Sequence, residues 1–423
     1  MSIFKDIQEI LQTFSGSLEH TWFLVLPWLL YFLFKPIWMD FIIGKYSGSI
    51  QYVLLEIIPP REIEKSPKLM ESFFAGFAGV HSTINTTDTF CKGVRIPKMS
   101  LEIVSDGGTV HFYFYVPKNF RNLVESNLYA QYPDSQIVEV NDYVNTVPRI
   151  VPNKDWELWG TDLELVKPDI YPIKTYHEFE EDVTGKMIDP LSAMIEALGR
   201  VGSDQKLWFQ AIITPEGDKE VTQEGLDLVQ VVTGKKKKSK SPLEKVWIDI
   251  TDVFKNIFGA MMGSEVAFTE EKKDAVEQPI EFKLTPGEKE ALKALEENIG
   301  RIHFKTKMRI LYLGKRGNFD KSNVSAFFGA IKQFNSNNVN ALKPNNDSKT
   351  LVSFVAVKSR LRFRQIKIFK RYVSRNGSDG VKFKMSTAEL ATIFHMPDMS
   401  VVAPGFIRVD AKRGGAPSNL PIE

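Results

Sequence analysis

The sequence predicts an α+β fold: an N-terminal transmembrane helix followed by two ferredoxin-like (βαββαβ) units, the second interrupted by a helical insertion. Three observations carry that expectation. Thr21 to Ile43 (TWFLVLPWLLYFLFKPIWMDFII) is the one stretch apolar enough to enter a bilayer. The whole chain has 25% charged and 43% hydrophobic residues, values that supply a globular core. Along the part after that stretch, short runs with a period of two alternate with runs at steps of three and four, in the order strand, helix, strand, strand, helix, strand.

Residues 1–50 form the expected anchor. The uncharged run from Thr21 to Phe34 stops at Lys35, Pro36 and then Asp40, short of the roughly 20 residues a spanning helix needs. A buried core helix or an interfacial helix therefore stays open beside the spanning one. Trp22, Phe23, Leu24, Leu26, Trp28, Leu29, Leu30 and Phe32 are the anchor side chains; Trp22, Trp28, Tyr31 and Trp38 suit an aromatic belt, and Lys35 can snorkel to headgroups. Ahead of the run, Asp6, Glu9 and Glu19 stand against Lys5 and no small-residue cleavage site follows, so the segment reads as a retained anchor rather than a signal peptide. Lys45, Arg61, Lys65 and Lys68 follow it, which assigns a single pass through the cytoplasmic (inner) membrane with the large C-terminal part in the cytoplasm.

Residues 51–150 make the first unit. Tyr52 to Ile58 is a β-rich run ended by Pro59-Pro60, and Ser66-Pro67 opens a helix carrying Leu69, Met70, Phe73, Phe74 and Phe77. Asp106-Gly107-Gly108 is a tight-turn signal between two alternating runs, so Leu101 to Val116 is a hairpin. A helix from Lys118 to about Gln131 and the strand Gln136 to Val140 complete the order, with the helices expected on one face of the sheet.

Residues 151–215 and 301–385 make the second unit. Its strands are Asp162 to Val166, Lys206 to Thr214 and Arg301 to Leu313, its helices Asp189 to Arg200 and Asp320 to Phe334. In Arg301 to Leu313, apolar Phe304, Met308, Ile310 and Tyr312 alternate with Lys305, Lys307 and Arg309, which predicts one wet face. The insertion, residues 216–300, holds a basic run (Lys235 to Lys238 and Lys240) and an amphipathic stripe from Leu243 to Met261. That stripe suits either an anionic membrane surface or the protein's own sheet. A linker near Gly263 to Glu277 follows, then Thr285-Pro286-Gly287-Glu288, a capping box that opens a helix to about Asn298. Residues 386–423 read as a C-terminal helix and an extended tail.

Catalytic signatures are scarce. A phosphate-cradling loop needs G-x-x-x-x-G-K-S/T; the Gly-Lys pairs at Gly44, Gly185, Gly234 and Gly314 lack both the following hydroxyl and the upstream glycine. The histidines are scattered, with His177 beside Glu178 and Glu180 the one local cluster, and Cys91 has no histidine near it in sequence. No catalytic, cofactor or metal residue is assigned. A single cysteine excludes an intramolecular disulfide, and a net charge of +2 carries no global nucleic-acid signal.

One constellation rises above this background. Arg360, Arg364, Lys367, Arg371 and Arg375 recur at steps of four, three, four and four within a helix-like segment from Val352 to Arg375, and no Asp or Glu falls between Thr350 and Ser378. An unpaired cationic stripe suits DNA phosphates, an acidic partner or lipid headgroups, or else is a solvated face. Reversing Arg364, Lys367 and Arg371 to Glu is expected to leave folding intact and weaken binding.

Several phrases carry a family resemblance: VLLEIIPPREIEKSPKLMESFFAG, LYAQYPDSQIVEVNDY, KLWFQAIITP, TPGEKEALKALEENI, KTKMRILYLGKRGNFDKSNVSAFFGAIKQFN and STAELATIFHMPDMSVVAPGFIRVDAKRGGAPSNLPIE. With the anchor before them they resemble the N-terminal, non-motor region of bacterial type IV secretion and conjugative DNA-transfer coupling ATPases. The resemblance implies a membrane-anchored α+β platform, and the segment near Asn419-Leu420-Pro421 is where such proteins enter a hexameric P-loop motor. The sequence ends at Glu423, so the motor is expected as a separate polypeptide, as a lost domain or as a continuation. The implied partners are the cytoplasmic membrane, a P-loop ATPase, DNA and further copies of the chain in a homo-oligomer. The expected role is a non-enzymatic adaptor; the alternative is a membrane-tethered nucleic-acid-binding protein acting through residues 352–375.

Overall fold

A computed structural model describes residues 2–60, 66–179, 188–217, 225–227, 229, 285–399, 401, 405, 406 and 408. The first element, α1 (Ser2–Ser49), is one continuous helix of 48 residues. Within it Leu26–Ser49, 24 residues of mean hydropathy 1.4, is long and apolar enough to cross a membrane. At about 1.5 Å per residue it spans roughly 36 Å against a hydrocarbon core of about 30 Å. Phe23, Leu26, Trp28, Leu29, Leu30 and Phe32 stand exposed, and Trp22 and Leu24 lie on the same helix. The last turns differ, because they rest on protein. Trp38 Nε1 donates to Phe90 O at 2.8 Å, and Ile42 is buried. Gly93, at φ +69°, permits this approach: a Cβ there would meet Ile42 O at 2.5 Å.

After α1 the chain builds a mixed α+β module on one large antiparallel sheet. Its strands are β1 (Tyr52–Ile58), β2 (Met99–Asp106), β3 (Thr109–Pro117), β4 (Gln136–Val140), β5 (Trp156–Leu165), β6 (Gln205–Pro215), β7 (His303–Lys315), β8 (Leu342–Pro344) and β9 (Phe383–Ser386). They lie in the order β4-β1-β3-β2-β6-β7-β5-β8, with β9 added to β7. The first four strands are therefore ordered fourth, first, third, second from one edge, and the next four repeat that order from the opposite edge. The two halves join through the antiparallel β2–β6 pair, with Glu102 opposite Gln210. Gly107 and Gly108, at φ +58° and +90°, form the two-residue turn between β2 and β3 that Asp106-Gly107-Gly108 predicts.

Helices α2 (Lys68–Ala78), α3 (Arg121–Gln131), α4 (Ser192–Gly199), α6 (Ser322–Ile331) and the short α8 (Thr387–Ile393) cover one face, and α5 (Pro286–Ile299) packs beside them on Ile170. The capping box expected at Thr285 and Glu288 opens α5. The phenylalanines of α2 pack on Phe114 and Phe304, and Ile310 and Tyr312 of β7 join the same core. The helix expected within 386–423 is α8, and all seven of its residues are buried.

The helices of the first unit, α2 and α3, share one face as expected, whereas α7 (Val357–Val373) covers the other, burying Ile368, Phe369 and Tyr372 against Leu158, Trp208 and Leu311. For the same reason the basic face of β7 is not wet. Lys307 and Arg309 are 2% and 0% exposed beneath α7 and the loop after it, and Lys305 alone of the three is exposed. The basic run at 235–240, the stripe at 243–261 and the linker at 263–277 lie outside the described residues.

Candidate functional site

The face covered by α7 carries a row of polar side chains at one register. Glu56 on β1 stands opposite Tyr113 on β3, Tyr113 opposite Glu102 on β2, Glu102 opposite Gln210 on β6, Gln210 opposite Arg309 on β7, and Arg309 opposite Asp162 on β5. Side chains alternate between sheet faces, so partners at one register share a face. The row runs unbroken across the β2–β6 joint. Buried polar groups need partners, and the end of α7 supplies them.

At the first pole, Arg375 makes paired contacts with two carboxylates. Its Nε and Nη2 donate to Glu102 at 3.0 and 3.1 Å, and its Nη1 and Nη2 donate to Asp142 at 2.6 and 3.0 Å. Glu102 also accepts from Ser100, Tyr143 and Gln210 at 2.6, 2.9 and 2.8 Å. Burial opposes the Arg375 charge, but Glu102 and Asp142 more than offset it and hold the guanidinium's pKa above its usual range. Burial, reinforced by the Glu102 charge, raises the Tyr143 and Tyr372 phenols well above theirs. Arg375 also sits at φ +47°, in the left-handed position after a helix. The amides of Arg375 and Asn376 return to the carbonyls of Tyr372 and Arg371, which is the Schellman arrangement with arginine where glycine is usual. Such a conformation costs on the order of 1 kcal/mol or more and persists where the surroundings fix it; here four charge-assisted bonds do so.

At the second pole, Arg309 Nε donates to Asp162 at 2.8 Å, and Nη1 and Nη2 donate to the carbonyls of Arg371 and Asn376. Burial lowers the Arg309 pKa, partly against the pull of Asp162. Gln210 links the poles: it donates to Glu102 and receives Arg309 Nη1 at 3.4 Å. Beside this pole lies a cavity of about 260 Å³ between α7 and the loops on either side of it, lined in part by Asp162, Ser348, Arg364, Lys367, Arg371 and Gly380.

The structure thus divides the expected stripe. The helix ends at Val373, so Arg375 is off it and buried rather than in line with the others. Arg371 is mostly buried, 3.7 Å from both Asp162 and Asp379. Arg364 Nη1 donates to the carbonyls of Asn346, Lys349 and Leu351, stapling the preceding loop. Arg360 and Lys367 remain exposed, and Lys358, Arg362 and Lys370 extend the exposed charge around the outer face. Reversing Arg364 and Arg371 therefore tests packing as well as binding, contrary to expectation. Next to this face, Leu351, Phe354, Val355 and Phe363 are 59%, 77%, 82% and 66% exposed.

Sequence reasoning missed Glu102, Asp142, Asp162 and Arg309 as a connected set, with Lys307 buried on the same face of β7. A readable signal was present: acidic and basic residues at inward positions of strands whose neighbours are apolar. Elsewhere, His177 Nε2 lies 3.4 Å from Arg301 Nη2, and Cys91 is exposed on the turn against α1. Among the described residues no group of three or more His, Cys, Asp or Glu is arranged to hold a metal ion.

These features define an α+β sheet module carried on a long apolar helix, with a charged, partly apolar outer face around α7. The chain belongs to the family described as a domain of unknown function, DUF8128, which matches residues 49–406, from the end of α1 through the segment where Phe406 pairs with Val110. No curated protein matches the chain.

Proposed function

We propose that this protein is a membrane-anchored, non-enzymatic platform that docks a separate P-loop motor ATPase of a type IV secretion or conjugative DNA-transfer system. In this reading α1 spans the cytoplasmic membrane and the sheet module is two fused ferredoxin-like units in the cytoplasm. The observation that carries it is the junction of α1 with the module. Exposed apolar side chains run along the helix from Phe23 to Phe41, while Trp38 donates to the carbonyl of Phe90 and Ile42 is buried against Gly93. The burial at Ile42 supports a reading in which the helix leaves the bilayer where the protein begins to hold it. Only Ile50 and Gln51 separate α1 from β1, so the module is confined close to the bilayer. Confinement raises the effective concentration of a motor working at the same membrane. The repeated strand order of the two halves supports the ferredoxin-like reading.

The outer face of α7, with Arg360, Lys367 and Lys370 beside Phe354 and Phe363, is the docking surface in this account. Pull-down of a P-loop ATPase encoded beside this protein tests it. Retention by the wild type and loss on Arg360→Glu with Lys370→Glu supports the reading; equal retention by both refutes it. The same exposed cations favour a second reading, direct nucleic-acid binding by α7. It requires affinity to fall steeply with salt as counterions are released, and a flat salt dependence rejects it.

A further inference from the structure

The Asp88–Lys92 turn follows α1 past the point where the sheet module buries Ile42. Gly93 lies against Ile42 O, the Phe90 carbonyl accepts from Trp38 Nε1 at 2.8 Å, and Lys35 Nζ sits 5.6 Å from the centre of the Phe90 ring. Ile42, Trp38 and Lys35 fall at steps of four and three, on one side of the helix. At about 1.5 Å per residue, the turn therefore accompanies roughly 10 Å of α1.

Over that same length the other sides of α1 are exposed and apolar: Ile37 and Phe41 are 68% and 63% exposed. Lipid that covers these side chains meets the turn at the same height. The turn suits that contact. Phe90 is 42% exposed, with Cys91 exposed beside it, and the one acid of the turn, Asp88, is paired with Lys92 at 2.8 Å. The amides of Gly93 and Val94 close the turn onto the Asp88 carbonyl, which fixes its shape. Asp40, also exposed on this stretch of α1, is costly in hydrocarbon and sets the level at the headgroups. Trp38 and Lys35 are of the kinds that settle there.

We propose that the Asp88–Lys92 turn is a second membrane contact, entering the headgroup zone of the bilayer with Phe90 against lipid. The inference rests on the reading that α1 crosses that bilayer. Contact at the turn as well as along α1 fixes which end of the module faces the lipid. Leu54, near the start of β1, is level with Lys307 through the pairs Tyr115, Ser100 and Ile212. Lys315, at the other end of β7, is about 26 Å farther along the sheet at roughly 3.3 Å per residue.

Cys91 is the one cysteine of the chain, so a single small fluorophore such as bimane reports on the turn. The full-length protein is reconstituted in vesicles of phosphatidylcholine and phosphatidylglycerol that carry a nitroxide quencher either on the headgroup or deep in the acyl chain. In a Cys91→Ser background the same label is placed through Phe32→Cys on α1, and through Ser325→Cys on α6 near the far end of β7; all three positions are exposed. The Cys91 label is expected to be quenched several-fold more than the Ser325→Cys label, and more by the headgroup nitroxide than by the deep one. The Phe32→Cys label should show the reverse depth order. Strong quenching at Phe32→Cys with the Cys91 label quenched no more than the Ser325→Cys label, or more by the deep nitroxide, overturns the second contact while α1 still spans. If the Phe32→Cys label escapes lipid quenching, the spanning reading fails and the proposal falls with it.

Discussion

Arg375→Met is the sharpest perturbation of the polar row. The guanidinium makes four hydrogen bonds to Glu102 and Asp142 and lies 3.9 Å from the centre of the Tyr115 ring. Glu102 is fully buried, whereas the Asp142 side chain is 26% exposed. Removing one partner of a buried ion pair costs about 3–5 kcal/mol, because the remaining charge is left without its counterion. Asp142 regains water, and Glu102 keeps Ser100, Tyr143 and Gln210, so the lower end, about 3 kcal/mol, is expected. The contrast is Arg360→Met, on the same expected stripe but exposed, which should change stability by about 0.5 kcal/mol or less. Both are read by urea unfolding of the full chain in detergent, followed by tryptophan fluorescence, with Trp208 in the same buried cluster as Tyr143 and Tyr372. Adding Glu102→Gln to Arg375→Met should recover part of the loss by removing the stranded charge. If Arg375→Met costs no more than Arg360→Met, the division of the stripe into structural and free cations is wrong.

Three other outcomes follow from the same geometry. Gly93→Val forces a side chain into the 2.5 Å approach to Ile42 O at a positive φ; it should free the last turns of α1, seen as faster hydrogen exchange around Trp38 with the sheet core still protected. Burial raises the Glu389 carboxyl from 4.5 to about 7 against the Ser386 and Ile173 amides, so its contribution to stability is fully present below pH 4.5 and is lost as pH rises through about 7. Glu389→Gln keeps the capping box with Ser386 and should flatten that decline in a pH series of melts; an unchanged slope would refute the assignment. Reversing the exposed Arg360, Lys367 and Lys370 to Glu should leave the melting temperature within a few degrees while abolishing partner capture.

Much of the fold was legible because local chemistry and tertiary structure agree. The turn at Gly107-Gly108, the capping box at Thr285 and the apolar face of α2 each need only their own residues to be read. The second face of the sheet was not legible, since period-two charge on β7 reads as solvent exposure until another element is known to cover it. Lys307 and Arg309 are buried by α7 and the 376–382 loop, and those contacts are distant in sequence. The stripe failed at Arg375 for a related reason. Spacing continues the helix through that residue, but the Schellman ending turns it toward Glu102, a partner 273 positions away. Three stripe members, Arg364, Lys367 and Arg371, do converge on one cavity, so the spacing found the region while misjudging which charges are free.

The proposed role depends on α1 holding the sheet module at a bilayer. Alkaline carbonate extraction of membranes from cells making the full-length chain measures this directly. The protein should stay in the pellet with integral membrane proteins; its release into the supernatant would contradict the account.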